Sequence, residues 1–222
     1  MGDVVESGEQ LKHLARDRAL RGHTYRNLTL HGLRVERGDF GGATFERVNL
    51  GEAELDGVDL SRATLKQVDL RRARMADALV AQAALSNCDL TEVSFRGAIL
   101  EHSTIEATAL GNVDLEGAKL VGCRFVTCNL YGLKLRRAVL IRCSFSDPTA
   151  NAVAELTKAQ LQGAVLIECA AKGANLIRAD FSNALVVRSD FSGALLTGAN
   201  VEGARFVDCN FLGADLPDGL RP

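Results

Sequence analysis

An apolar residue recurs at every fifth position over most of this chain. The ladder starts at Tyr25 and runs without a miss to Phe145, which makes 25 consecutive apolar positions in a chain that is 47% hydrophobic. A period of five fits neither an α-helix, which repeats about every 3.6 residues, nor a simple β-strand, which repeats about every two. So long a fixed period indicates a repeat architecture, and the repeat unit predicts the fold.

Each five-residue unit has a small residue two places before the ladder position and polar residues after it. The small residue is usually Ala, Val or Cys, and the residue directly before the ladder position is often Asp, Asn or Thr. Representative units are VDLSR at 58–62, CDLTE at 88–92 and CNLYG at 128–132. This motif resembles the repeat of the pentapeptide-repeat proteins, and the resemblance covers residues 23–216.

The resemblance implies an all-β chain, folded as a right-handed quadrilateral parallel β-helix of about 9–10 coils. Each twenty-residue coil would have four five-residue sides, with the ladder residue and the small residue inside and the other three in water. Coils would stack about 4.8 Å apart, as neighbouring strands do. One coil cannot bury its apolar side alone, so stability would come from stacking.

The ends of the repeat divide the chain into three parts. We predict an N-terminal segment with a capping helix at 1–22, the β-helix at 23–216 and a C-terminal tail at 217–222. A capping-box pattern at 7–10 places that helix at 8–20. It could cover the first coil or bind a partner. The sequence shows no helix after 216, so the last coil could be open and support an end-to-end homodimer.

The ladder changes phase at 146–155 and resumes at Leu156. We interpret the change as a one-residue insertion at a corner of one coil, because the motif continues unchanged after it. The segment is either a corner bulge or a functional loop, since loops on rigid scaffolds often carry function. Its candidate functional residues are Asp147, Pro148, Thr149 and Asn151.

Six cysteines all occupy the small-residue position of the unit, which predicts that they are core residues rather than a disulfide framework. Cys123 and Cys143 are twenty residues apart, so they should stack in neighbouring coils. Stacked free thiols are favoured over a disulfide there in a reducing compartment. The six are Cys88, Cys123, Cys128, Cys143, Cys169 and Cys209.

Outward positions are apolar along two neighbouring sides of the predicted coils. With a one-residue insertion, the residues after the break continue the side of Val126. Clustered outward apolar residues are typical of a contact surface, although Val and Ile are also good strand formers. The predicted partner-binding residues are Val126, Val165, Ile167, Leu185, Val187 and Val207 on one side, and Leu79, Ile99, Val121, Val139 and Ile141 on the other.

Other classes of function find little support in the sequence. The net charge of −2, from 26 basic and 28 acidic residues, gives no argument for direct nucleic-acid binding. Local basic groups, such as 71–74 and 136–142, are interspersed with acids and favour a solvated face. Nothing has the spacing of a metal site, a phosphate loop or a catalytic triad, so we predict no enzyme activity and no cofactor. Without a signal sequence or membrane span, the expected location is the cytoplasm.

The resemblance implies a rigid protein-binding rod without an active site. Some members of the family protect DNA gyrase from drugs or toxins by resembling a DNA duplex. Others are immunity proteins that silence a toxin, including nuclease effectors of type VI secretion systems. Gyrase protectors are typically strongly acidic and dimerise through a C-terminal helix, which this sequence lacks. We therefore predict an immunity or inhibitor protein that binds a bacterial toxin enzyme, with gyrase protection as the alternative and a structural scaffold as a second alternative.

Overall fold

The ladder residues are the midpoints of the sides of stacked, four-sided coils. The computed structural model describes residues 3–16, 19–145 and 153–220. Within them, residues of one side recur in neighbouring coils in parallel register, twenty residues apart before the break. One side recurs at ten successive levels, from Thr29 to Asp215. The predicted parallel β-helix and its number of coils are therefore confirmed.

Four faces run along the rod, and we number them in chain order from their ladder residues. Face 1 is centred on Tyr25 in the first coil, face 2 on Leu30, face 3 on Val35 and face 4 on Phe40. The ladder residues and the small residues before them form one continuous hydrophobic core. Each corner is turned by the residue two places after the ladder position, which has a positive φ such as 55° at Arg47.

The described residues contain one helix, α1 (Gly8–Arg16), and fourteen short strands. The strands of face 1, after the two-residue β1, are β2, β3, β4, β6, β8 and β10, whereas face 4 holds β5, β7, β9 and β11 to β14. Their bounds are β1 (Val4–Val5), β2 (Thr24–Arg26), β3 (Thr44–Glu46), β4 (Thr64–Lys66), β5 (Leu79–Ala81), β6 (Ala84–Ser86), β7 (Ile99–Glu101), β8 (Thr104–Glu106), β9 (Lys119–Val121), β10 (Arg124–Val126), β11 (Val139–Ile141), β12 (Val165–Ile167), β13 (Leu185–Val187) and β14 (Arg205–Val207).

On most sides, the residue before the ladder position indicates whether the side is a strand or a turn. Thr29 and Leu195 are exceptions, because their sides form no strand. Where it is Asp or Asn, its side-chain oxygen accepts a hydrogen bond from the backbone N–H two residues later, as Asp59 does from Ser61 at 2.7 Å and Asn129 from Tyr131 at 3.0 Å. This local bond competes with extended structure. Where the residue is Thr, Val, Leu or Ile, side chains of that kind favour a strand.

The phase change consumes six extra residues rather than one. Asn129 pairs with Glu155 and Val139 with Val165, and both pairs are 26 residues apart instead of twenty. The extra residues lie between the ladder positions Phe145 on face 1 and Leu156 on face 2. The one-residue interpretation was wrong because the phase of a five-residue repeat is the same after one residue and after six. The four predicted loop residues, Asp147, Pro148, Thr149 and Asn151, lie outside the described residues.

The N-terminal segment covers the first coil. Helix α1 begins after Ser7, whose hydroxyl accepts a hydrogen bond from the Gln10 N–H at 3.2 Å, while the Gln10 side chain accepts one from Glu6 N–H at 2.9 Å. Leu11 is fully buried against the core. The helix ends at Arg16 rather than at the predicted residue 20. Beyond it, the Ala19 N–H donates a hydrogen bond to the Leu14 carbonyl.

Candidate protein-binding surface

Ten of the eleven predicted partner-binding residues lie on face 4, and only Val126 lies on face 1. The predicted division between two sides is wrong, because the insertion has six residues and returns the later residues to face 4. Val139 pairs with Val165, which pairs with Leu185. We call the ten residues the apolar strip: Leu79, Ile99, Val121, Val139, Ile141, Val165, Ile167, Leu185, Val187 and Val207.

The strip has a beginning and an end along the rod. Its first two face-4 levels would be at Asp39 and Asp59, but these are polar turns whose carboxylates accept N–H bonds from Gly41 and Ser61. Strand β5 is therefore its first level, and β14 in the last coil is its seventh. Six steps of about 4.8 Å make the strip about 29 Å long.

Within the strip, two apolar ridges flank a buried floor. Each strand places its first and third residues outward and its middle residue inward, so Leu140, Leu166 and Val186 form the floor and are at most 3% exposed. The outward side chains of one strand stand about 6.6 Å apart, which is twice the rise per residue. Both ridges are apolar at three successive levels, in the strands β11, β12 and β13. We call the backbone between the two ridges, together with the ridges themselves, the trough.

One rim of the trough carries a ladder of ion pairs. The Glu168 carboxylate lies 2.9 Å from Arg142 Nε and 2.7 Å from Arg188 Nη2. A hydrogen bond from Arg142 and the charge of Arg188 hold the pKa of Glu168 below its usual range. Both guanidinium groups are more than half exposed. This rim therefore holds two cations for one anion at the levels where both ridges are apolar.

The opposite rim is also basic. Arg137 stands at the corner between faces 3 and 4, Arg136 directly before it is the last outward residue of face 3, and both are exposed. Arg136 donates to the side-chain oxygen of Gln160, a neutral partner, so its charge is not compensated there. In the next coil the corner residue is Gly163, which has no side chain to cover Arg137. Around the centre of the trough there are four arginines and one glutamate.

The other faces carry paired charges instead. On face 2, the Asp69 carboxylate accepts hydrogen bonds from the Arg71 side chain at 2.6 Å and from the Arg71 N–H at 3.0 Å. The side-chain bond from Arg71 is the main cause that lowers the pKa of Asp69. Arg72 likewise pairs with Glu92 at 3.1 Å. These contacts confirm that Arg71 and Arg72 belong to a solvated face interspersed with acids.

The cysteines lie in two columns inside the core. One column stacks Ser103, Cys123, Cys143, Cys169, Ser189 and Cys209 under face 1, and the other stacks Cys88, Thr108 and Cys128 under face 2. All six cysteines are free, five are buried, and Cys209 in the last coil is half-buried. Contacts with Cys123 and Cys169, together with burial, raise the pKa of Cys143. Burial raises the pKa of Cys128 to about 11. Their prediction as core residues is confirmed.

The C-terminal end of the core is not covered within the described residues. Phe206, Phe211 and Leu216 of the last coil are only partly buried, unlike their counterparts in earlier coils. Phe206 and Phe211 border a cleft that reaches to Gly219 and Leu220. No His, Cys, Asp or Glu group in the described parts of the chain is arranged to hold a metal ion.

Sequence profiles identify the family. The profile described as a pentapeptide repeat region matches residues 38–115, and the one described as pentapeptide repeats in eight copies matches 110–147, 154–193 and 187–218. Together they span most of the chain. The chain belongs to the pentapeptide-repeat family. Proteins of this family are in general structural or binding proteins rather than enzymes.

Several solved pentapeptide-repeat structures resemble this one. QnrB1, a plasmid-mediated fluoroquinolone resistance protein, is 20% identical over 88% of this chain and 87% of its own, with a TM-score of 0.57. HetL, involved in heterocyst differentiation regulation in Nostoc sp. strain PCC 7120, is 24% identical over 98% of this chain and all of its own, with a TM-score of 0.48. At these identities, the likeness to QnrB1 shows the fold alone.

No functionally curated protein sequence matches this pentapeptide-repeat protein significantly. Across the described residues, no helix combines the length and the apolar character that crossing a bilayer requires.

Proposed function

We propose that this pentapeptide-repeat protein is a non-enzymatic immunity or inhibitor protein that binds a bacterial toxin enzyme, such as a nuclease effector, in the cytoplasm. The observation that carries the proposal is the apolar strip. Outward positions on a solenoid need no apolar residues for folding, because the core is filled by the ladder and the small residues. A clustered apolar surface on an otherwise polar rod is typical of a protein-binding site.

The charges beside the strip support a protein partner over DNA mimicry. A surface that resembles DNA presents rows of acidic groups, whereas the rims of the trough hold Arg136, Arg137, Arg142 and Arg188 against Glu168. The net charge of −2 agrees with this distinction. Protection of DNA gyrase therefore stays the alternative, and a structural scaffold the second alternative.

The proposal is tested with the tagged full chain in its native host. Proteins that co-purify with the wild type are compared with those that co-purify with Leu185→Asp, on the strip, and with Ile177→Asp, an outward residue of face 2. We expect one enzyme that is lost only with Leu185→Asp and that is toxic when expressed without this protein. Recovery of gyrase subunits alone would support the alternative, and recovery of no strip-dependent protein would contradict the proposal.

We also propose that two copies associate end to end through the open C-terminal coil. The partly buried rings of Phe206 and Phe211 and the unpaired edge of β14 support this assembly, because an open sheet edge is a ready pairing site. Light scattering should give a dimer for the wild type and a monomer for Phe211→Glu. A monomeric wild type at micromolar concentration would contradict the assembly.

A further inference from the structure

We propose that the apolar strip binds one amphipathic helix of the partner, about five turns long, whose apolar face is flanked by acidic residues. This inference rests on the proposed function and adds the chemistry of the partner segment. Three features of the trough carry it: its length, its cross-section and the charge of its rims.

The length of the strip matches a helix. Polar turns at Asp39 and Asp59 bound the strip on one side, and β14 is its last described level on the other. The strip of about 29 Å corresponds to about twenty helical residues, because a helix rises about 1.5 Å per residue. Its charged outward positions, Glu101, Lys119 and Arg205, lie outside the central levels β11 to β13. The levels of the strip are about 4.8 Å apart, close to the helical pitch of about 5.4 Å.

The cross-section of the trough also fits a single helix. Two ridges of outward side chains, represented by Val165 and Ile167 in β12, stand about 6.6 Å apart over the buried Leu166. A row of apolar side chains at helical spacing i, i+3, i+4 and i+7 can lie in the space between them. Side chains of a flat sheet would meet the tops of the ridges instead.

The charge of the rims argues against a second copy of this chain as the occupant. Two face-to-face copies would oppose like charges. An antiparallel pair centred on Val165 brings Arg142 against Arg188, and a parallel pair brings Arg142 against Arg137.

The basic rims would attract a helix with acidic flanks, whereas they would repel the rims of a second copy. Arg142 and Arg188 flank one side of the trough and Arg136 and Arg137 the other, with Glu168 as the one acid between them. Glu or Asp side chains on both flanks of the bound helix would pair with these exposed guanidinium groups. For a nuclease partner, this places the contact away from the basic surface that holds nucleic acid, since that surface would be repelled.

The test uses full-length protein and two synthetic twenty-residue helical peptides with the same apolar face. One has Glu at the flanking positions and the other has Lys, and binding is followed by fluorescence anisotropy at two salt concentrations. We expect the Glu peptide to bind at least about tenfold more tightly at low salt, with the preference reduced at high salt because exposed charges are screened. Equal binding of both peptides, or no binding of either, would overturn the inference.

Variants assign the binding to the trough. Leu185→Asp should weaken the binding of the Glu peptide at least about tenfold, because a charge then occupies one apolar ridge. The matched face-2 variant Ile177→Asp should bind as the wild type does. The double variant R142E/R188E leaves the ridges intact and should reverse the preference toward the Lys peptide. A preference that survives this reversal would contradict the role of the rims even if Leu185→Asp failed to fold.

The result separates this inference from the proposed function. If neither peptide binds but a toxin enzyme is still recovered through the strip, the partner uses another structure and the proposed function stands. If the Glu peptide binds but no host protein depends on the strip, the proposed function fails.

Discussion

Faces 2 and 4 are built on the same interior and differ only outside. Both have an apolar ladder residue at each level, such as Leu130 on face 2 and Leu140 on face 4, and both side chains are fully buried. The residue before the ladder position differs. On face 2 it is mostly Asp, Asn or Glu, and its carboxylate or amide closes a turn, as in Asn129 with Tyr131. From β5 onward on face 4 it is mostly aliphatic and forms a strand.

Folding and recognition are therefore encoded at separate positions of one five-residue unit. The ladder and small residues are inside, and every face needs them equally. The residues on either side of the ladder position are free of that demand, so an aliphatic residue there both extends the strand and makes the face apolar. An aspartate there closes a turn and keeps the face polar.

The largest expected effect is the same on both faces. Leu130→Ala and Leu140→Ala should each lower the free energy of unfolding by about 2–5 kcal/mol, because each leaves a cavity in the core. Leu212, which is 80% exposed, provides the matched control, and Leu212→Ala should cost less than about 0.5 kcal/mol. Urea unfolding measures all three. A Leu130→Ala variant as stable as the control would show that face 2 is not built on the shared ladder.

A smaller loss of stability is expected where a turn on face 2 loses its side-chain hydrogen bond. Asp89→Ala on face 2 removes the acceptor of the Thr91 N–H, a bond of 3.0 Å, and should cost about 1 kcal/mol. Asp89→Asn keeps an acceptor oxygen and should retain most of that stability. The exposed contact with Arg71 at 3.7 Å contributes little. If the Asn and Ala variants melt at the same temperature, the turn does not depend on this bond.

The smallest effect is a pH dependence that should appear on both faces. The folded pKa values of Asp69 on face 2 and Glu168 beside face 4 are lowered by Arg71 and by Arg142 with Arg188. A lowered folded pKa stabilises the protein above the unfolded pKa, and this stability is lost as pH falls through the folded value. The melting temperatures of Asp69→Asn and Glu168→Gln should therefore fall less than that of the wild type between about pH 5 and pH 3. This interval brackets the usual pKa values of carboxyl groups.

A thermal melt that is equally acid-sensitive in both variants and in the wild type would contradict these two assignments. The Glu168 effect should be the smaller of the two, because its side chain is 33% exposed and that of Asp69 is 23% exposed, and more exposed ion pairs contribute less.

The interior of the fold could be predicted from sequence because a five-residue ladder determines which side chains face inward. Leu90 and Leu110 are buried as the ladder requires, and so are five of the six cysteines. Strand β1 was missed because residues 1–24 lack the repeat motif. The separation in sequence could have indicated this strand, since Val4 and Val5 precede their partners Thr24 and Tyr25 by one full coil of twenty residues.

The geometry of the candidate site could be predicted only in part. The outward apolar residues were identified, but the phase of the ladder does not distinguish an insertion of one residue from one of six. Val165 was therefore placed over face 1 instead of next to Val139. The rim was missed for the same reason, because Arg142 and Glu168 are 26 residues apart and meet only across the longer coil.

The measurement that tests the account most directly is the affinity of the recovered partner for three forms of the full chain. Isothermal titration should show wild-type binding for Ile177→Asp on face 2 and at least about a thirtyfold loss for Leu185→Asp on face 4, equal to about 2 kcal/mol. Circular dichroism establishes that all three forms are folded. Equal affinities for all three, or a loss with Ile177→Asp alone, would contradict the claim that face 4 is the binding surface.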